Sequence, residues 1–122
     1  LVCVDTFVPY PVTGQRAALL DALDAVTPGG LCTRVEECRP LRILPRVRAD
    51  GAVDSVTLLN LSTGETDGLH VRVRRPAGAK AVWRCARRSE LPLTALPGDL
   101  PGEAVVMLPN IDGWQIGTVF FE

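Results

Sequence analysis

The chain has 122 residues, 47% of them hydrophobic and 22% charged, and 13 basic side chains against 14 acidic ones give a formal charge of −1. That length fits one domain, or one domain with an appendage, and that composition excludes a largely disordered chain. It lacks the basic footprint of a nucleic-acid binder, and it lacks the ~18 consecutive apolar residues of a membrane-spanning helix.

The first residues, Leu1–Val8, are apolar and β-prone, and Pro9-Tyr10-Pro11 stops them. The opening Leu1-Val-Cys-Val-Asp5 has no Met, basic n-region or cleavage site, so it is not read as a signal peptide. A chain that starts inside strand-like sequence is expected to continue from an upstream segment. Gln15–Val26 reads as a helix, with Leu19, Leu23 and Val26 on one stripe, Leu20 beside them, and Thr13 as N-cap. Pro28-Gly29-Gly30 ends it and marks the boundary between a strand–helix appendage, 1–30, and a β domain, 31–122. An isolated helix of this length is marginal in water. Its stripe is therefore covered by the outside of the β domain or by a second copy through Leu19, Leu20 and Leu23.

Beyond residue 30, prolines recur too often for helices of ordinary length. Strand-like runs lie between them: Leu41–Val47, Val53–Leu61, Leu69–Arg74, Ala79–Cys85, Ala104–Leu108 and Trp114–Phe121. Asp50-Gly51 reads as a hairpin turn, and Ser62–Gly68 is a dense run of turn formers. Arg87–Gly102 reads as a long connection with an extended piece at Glu90–Leu93. The pattern predicts a mainly β fold, an antiparallel β-sandwich with an N-terminal strand–helix appendage. Alternation places Val56, Leu58, Val71, Val73, Trp114, Ile116 and Phe120 toward the core.

Candidate chemistry is sparse. His70, Arg72 and Arg74 alternate with Leu69, Val71 and Val73, so the three basic side chains share one strand face. That face is either a solvated outer surface or a site for sugars or anions. Trp83 and Tyr10 offer flat aromatic surfaces suited to the C–H faces of pyranose rings, and Trp114 falls in an apolar closing strand where core packing is the default. Asn60-Leu61-Ser62 matches a glycosylation sequon, but an Asn at a strand end is more often engaged with the following turn. The acids cluster in turns, and no nucleophile elbow, phosphate loop or dinucleotide fingerprint is present. The pattern of Cys3, Cys32, Cys38 and Cys85 is not that of a zinc ribbon, and the only histidine is His70. Free thiols in a cytoplasmic protein and a Cys32–Cys38 bridge in an exported one are both open readings. No cofactor or metal is expected, and the isolated chain is not expected to be an enzyme.

The order of segments resembles the C-terminal region of bacterial multidomain glycoside hydrolases of the β-galactosidase-like kind. Gln15–Val26 after Tyr10-Pro11 is similar to the last helix of their amidotransferase-like domain. Leu41–Arg48 with Pro45-Arg46, and Val56-Thr-Leu-Leu-Asn-Leu-Ser62, resemble strands of their β tail. Leu108-Pro109 followed by Trp114 resembles the closing strand. The family's catalytic glutamates lie in its (β/α)₈ barrel, and no position here matches them. The resemblance implies a non-catalytic accessory domain that contacts upstream domains or other subunits. The alternative is a carbohydrate-binding module using Trp83, Tyr10, His70, Arg72 and Arg74.

Overall fold

The computed structural model describes residues 13–37, 39–76 and 78–122, with side chains from residue 18 onward except those of residues 88 and 89. Tyr10, Cys3, Cys38 and the strand expected at Leu1–Val8 lie outside the described residues. Helix α1 runs Thr13–Val26, and the strands are β1 Thr33–Val35, β2 Leu41–Val47, β3 Val53–Asn60, β4 Leu69–Arg74, β5 Lys80–Cys85, β6 Arg88–Pro97, β7 Glu103–Leu108 and β8 Ile116–Phe121. No helix of the described residues is long and apolar enough to cross a membrane.

The strands form one nearly closed antiparallel sheet in the order β1-β4-β7-β6-β5-β8-β3-β2. It is a mainly β, sandwich- or barrel-like fold, as the strand pattern predicts. β6 joins the two halves. Its Leu91–Thr94 pair with β5, while Ala95–Pro97 turn onto β7. This ten-residue strand occupies much of what reads in sequence as a connection. Pro92 is tolerated because at that position β6 is paired on one side only, with Val82 of β5. Pro97 is the strand's last residue. Pro45 lies in β2, which is the sheet's edge.

Inward residues of the two halves form one core, with Val56, Leu58, Val71, Val106 and Val119 fully buried and Trp83 1% exposed. Val56, Leu58, Val71 and Val73 thus face inward as alternation predicts. The closing segment does not: Trp114, in the turn before β8, and Ile116 and Phe120 on the strand are 64%, 51% and 36% exposed. Gly117, Val119 and Phe121 face in instead. Large apolar residues occupy both parities of this segment, so periodicity cannot choose between its faces. Register does. Gly117 lies opposite Leu58 and Cys85, and Val119 opposite Val56 and Trp83. The Trp83 ring fills the space beside Gly117, where a Cβ would fall 2.1 Å from Cζ2.

The two halves are also joined by Arg75, 8% exposed, at the end of β4. Its Nη1 donates to the Val53 carbonyl at 3.0 Å, and its guanidinium lies 5.6 Å from the Phe121 ring centroid. The helix stripe divides: Leu20 is buried within the single chain, Leu23 is half-buried, and Leu19 and Val26 are exposed.

Gly117→Ala is expected to cost about 1–3 kcal/mol in urea denaturation, because the new methyl overlaps the indole. Adding Trp83→Phe should recover part of that loss in a double-mutant cycle, since the two residues occupy one volume.

Candidate functional site

The structure offers two places where polar chemistry gathers. The first is the outer face of β4, flanked by β1 and β7. It carries His70, Arg72 and Arg74, as alternation places them. Each is engaged with a neighbour. Arg72 donates through Nε to Glu36 Oε1 at 2.8 Å, through Nη1 to Glu103 Oε2 at 3.1 Å and through Nη2 to Asp99 Oδ2 at 2.8 Å. The hydrogen bond to Asp99, more than those to Glu36 and Glu103, raises the Arg72 pKa above its ordinary value, and burial opposes it. Glu37 holds His70 twice, with Oε2 accepting from the backbone N–H at 2.8 Å and Oε1 2.5 Å from Nδ1. This carboxylate continues the hydrogen bonding of β4 just beyond the three-residue strand β1.

The same face anchors the end of α1. Arg74 donates to the carbonyls of Gly29 and Gly30. Asp24 Oδ1 accepts from the Leu31 N–H at 2.6 Å, and Arg34 Nη1 donates to Asp21 Oδ1 at 3.0 Å. Gly29 and Gly30 both have a φ of 75°, the left-handed geometry that lets the chain reverse off the helix. Between helix and sheet lies a cavity of about 50 Å³, lined by Asp24, Arg34, Arg72, Leu100 and Glu103 among others. Ligand clefts are ~300–1,000 Å³, so this one has room for little more than water.

Trp83 corrects the sugar-stacking assignment. At 1% exposure its ring lies in the core and has no face for a ligand. His70, Arg72 and Arg74 do share a face, but the structure does not bring Trp83 to it, and Tyr10 is outside the described residues. Cys85 is a half-buried free thiol, and Cys32 packs against the core.

The second place lies beside Trp114, which is exposed where alternation expects it in the core. It is built on Asn60, which is fully buried at the end of β3. The Asn60 Nδ2 donates to the carbonyls of Gly64 at 2.8 Å, Ile111 at 2.9 Å and Asp112 at 3.2 Å. Its Oδ1 accepts from the N–H of Ser62 at 3.0 Å and from its hydroxyl at 2.7 Å. One amide therefore joins the turn after β3 to the loop before β8. This is the turn-binding role expected of an Asn at a strand end, and it leaves no exposed nitrogen for glycosylation. Thr66 and Ile111 add a reciprocal pair: the Thr66 N–H donates to the Ile111 carbonyl at 2.9 Å and the Ile111 N–H to Thr66 Oγ1 at 2.8 Å.

On this clamp, residues 112–115 form a turn closed by the Gln115 N–H and the Asp112 carbonyl at 3.1 Å. Gly113 is required by space, since a Cβ there would lie 2.4 Å from the Thr63 carbonyl oxygen. Trp114 follows with a φ of 59°, and it is the one non-glycine with positive φ among the described residues. A bulky side chain held in that region costs about 1–3 kcal/mol. Its N–H donates to the Ser62 carbonyl at 3.2 Å, and its side chain stands in solvent. The Gln115 amide, oriented to satisfy both neighbours, donates to Asp112 Oδ2 at 3.2 Å and accepts from Arg87 Nε at 3.0 Å.

No protein-family model, curated protein or solved structure matches the chain.

Asn60→Ala is expected to cost about 2–4 kcal/mol in chemical denaturation, because it strips partners from buried carbonyls and from the Ser62 N–H. Arg72→Met should cost about 1–2 kcal/mol, between the values for exposed and buried ion pairs, since Arg72 is 19% exposed and Asp99 83%. Part of that deficit is the mutual repulsion of Glu36, Asp99 and Glu103. It should therefore narrow when the two melts are repeated in ~1 M salt.

Proposed function

We propose that this chain is a non-catalytic accessory β domain of a bacterial carbohydrate-active enzyme, acting through surface contact with the other domains of its protein. The resemblance of its segments to the tail of β-galactosidase-like enzymes supplies the context. The observation that carries the contact role is the outer face of β8. Ile116, Phe120 and, on β2, Leu44 are 51%, 36% and 47% exposed. Register places Leu59 beside Ile116, and Val82 and then Pro92 beside Phe120. Thr57 and Thr118, hydrogen bonded at 2.9 Å, lie between these groups, with Leu44 opposite Thr57. Clustered apolar side chains of this kind on a sheet surface mark protein–protein contact.

The rim of the patch is polar, as contact surfaces usually are. The Arg84 guanidinium lies 5.0 Å from the Phe120 ring centroid, and its Nε is 2.7 Å from Glu90 Oε1. The face of β4 supports the same division of roles. Its arginines and histidine are bonded to carboxylates and carbonyls of the domain itself, so they serve the fold rather than a ligand.

Hydroxyl-radical footprinting tests the reading at the level of side chains. Ile116 and Phe120 should be labelled readily in the isolated domain and protected several-fold when the upstream domains are present on the same chain. Equal labelling in both would sink the contact role, and turnover of aryl glycosides by the isolated chain would sink the non-catalytic one.

A further inference from the structure

The turn at Asp112–Gln115 is costly to build and puts an aromatic ring at the surface. The third position of a turn with left-handed φ normally takes Gly or Asn. Here Gly113 is spent on the close approach to Thr63, and the left-handed residue is Trp114, with a φ of 59° and 64% exposure. The buried Asn60 holds this turn through the Asp112 carbonyl. The indole is thus presented from a braced support, which lowers the ordering cost of binding.

The residues that share the turn with Trp114 are the polar kind that read hydroxyl groups. Asp112, Gln115 and Arg87 form a chain of hydrogen bonds of 3.2 and 3.0 Å through the Gln115 amide. That chain fixes the amide plane while leaving further donor and acceptor positions on the carboxylate and the guanidinium. Asp112 and Gln115 are half-buried and Arg87 is exposed, so the group sits at the surface. An exposed flat ring on a turn that also carries a carboxylate and an amide, with a guanidinium bonded to that amide, matches a pyranose, which has an apolar C–H face and an equatorial rim of hydroxyls.

We infer that Trp114, with Asp112, Gln115 and Arg87, forms a saccharide-binding subsite on the turn before β8. This goes beyond the contact role of the β8 face and does not depend on it. It also differs from a site on the basic face of β4, since it uses neither Trp83 nor His70, Arg72 and Arg74. The site takes a single exposed sugar residue, held by stacking on one ring.

Saturation-transfer-difference NMR tests it with the isolated chain and methyl β-galactopyranoside, methyl β-glucopyranoside and methyl β-xylopyranoside as probes. This experiment reads the sugar protons and needs no tryptophan signal. The wild type should transfer saturation to the ring C–H protons of at least one glycoside. Trp114→Asn should lower that affinity about tenfold or more, a loss of one decade in Kd. Asn suits the left-handed backbone, so the variant's urea midpoint should equal or exceed that of the wild type. Gln115→Ala should weaken the same glycoside while retaining the fold.

Absence of transfer from all three glycosides overturns the inference. So does transfer unchanged by Trp114→Asn. A lower urea midpoint for Trp114→Asn also overturns it, because the indole would then be serving the fold. Footprinting of Ile116 and Phe120 reads different side chains on a different probe, so the subsite and the contact role fail independently.

Discussion

The indole of Trp83 occupies the volume beside Gly117 that any side chain on that residue would need. This contact fixes which face of β8 turns inward. Gly117 must look toward Trp83, so Val119 and Phe121 follow it into the core, and Ile116 and Phe120 are left outside. β8 lies between β3 and β5, so its orientation is shared with both. One tryptophan and one glycine thereby decide the apolar surface of half the molecule. The exposed patch is a consequence of how the core is filled, and its side chains were still chosen large and apolar where small polar ones would have fitted the strand equally well.

The rest of the architecture handles the ends of the sheet. β6 bends from one half to the other, and Arg75 ties the end of β4 to β3 and β8 by a hydrogen bond and a cation–π contact. A charge at 8% exposure is costly unless it is well partnered. Here it meets a carbonyl oxygen and an aromatic face. Arg72 and Glu37 perform similar work outside, fastening the short strand β1 and the segments around it to β4. The ion pairs that look most like a binding site are thus better understood as the fastening of an edge that has only three residues of regular strand.

The sequence was legible where one physical signal dominated. β2 and β4 occupy the ranges expected of them: in β4 apolar residues alternate strictly with histidine and arginine, and in β2 arginines at 42 and 46 interrupt an otherwise apolar run. β6 was obscured by Pro92 and Pro97, which read as breaks. A strand that changes partners midway has a locally free edge, and proline needs only that. β1 was too short to leave a periodic signal, and part of its pairing role falls to the carboxylate of Glu37. The two tryptophans exchange the environments that the sequence suggests for them, Trp83 lying in the core and Trp114 at the surface. The apolar run that follows Trp114 reads as one strand with it, but β8 begins only at Ile116 and Trp114 lies in the turn before it, whereas Trp83 is paired within β5 and faces the core. The Gly-Trp order at residues 113 and 114 was the available clue. A glycine so close to a strand start marks a crowded turn, and a turn is a poor place to bury an indole.

Asn60 connects these two levels. The engagement with the following turn expected of an Asn at a strand end is what the geometry shows, with three carbonyls around its nitrogen and the Ser62 N–H and hydroxyl on its oxygen. Its amide lets two irregular loops pack together without orphaned backbone groups, which is the condition for any loop that is partly buried. Because those loops are fixed, the backbone at Trp114 can be held in a conformation that the residue would not adopt alone. The buried hydrogen bonds at Asn60 oppose the local strain at Trp114, so the turn is held with the ring facing solvent. Stability is generated at one end of β3 and spent a few residues away on the exposure of an aromatic side chain. That arrangement is what separates Trp114 from the incidental apolar residues found on every protein surface.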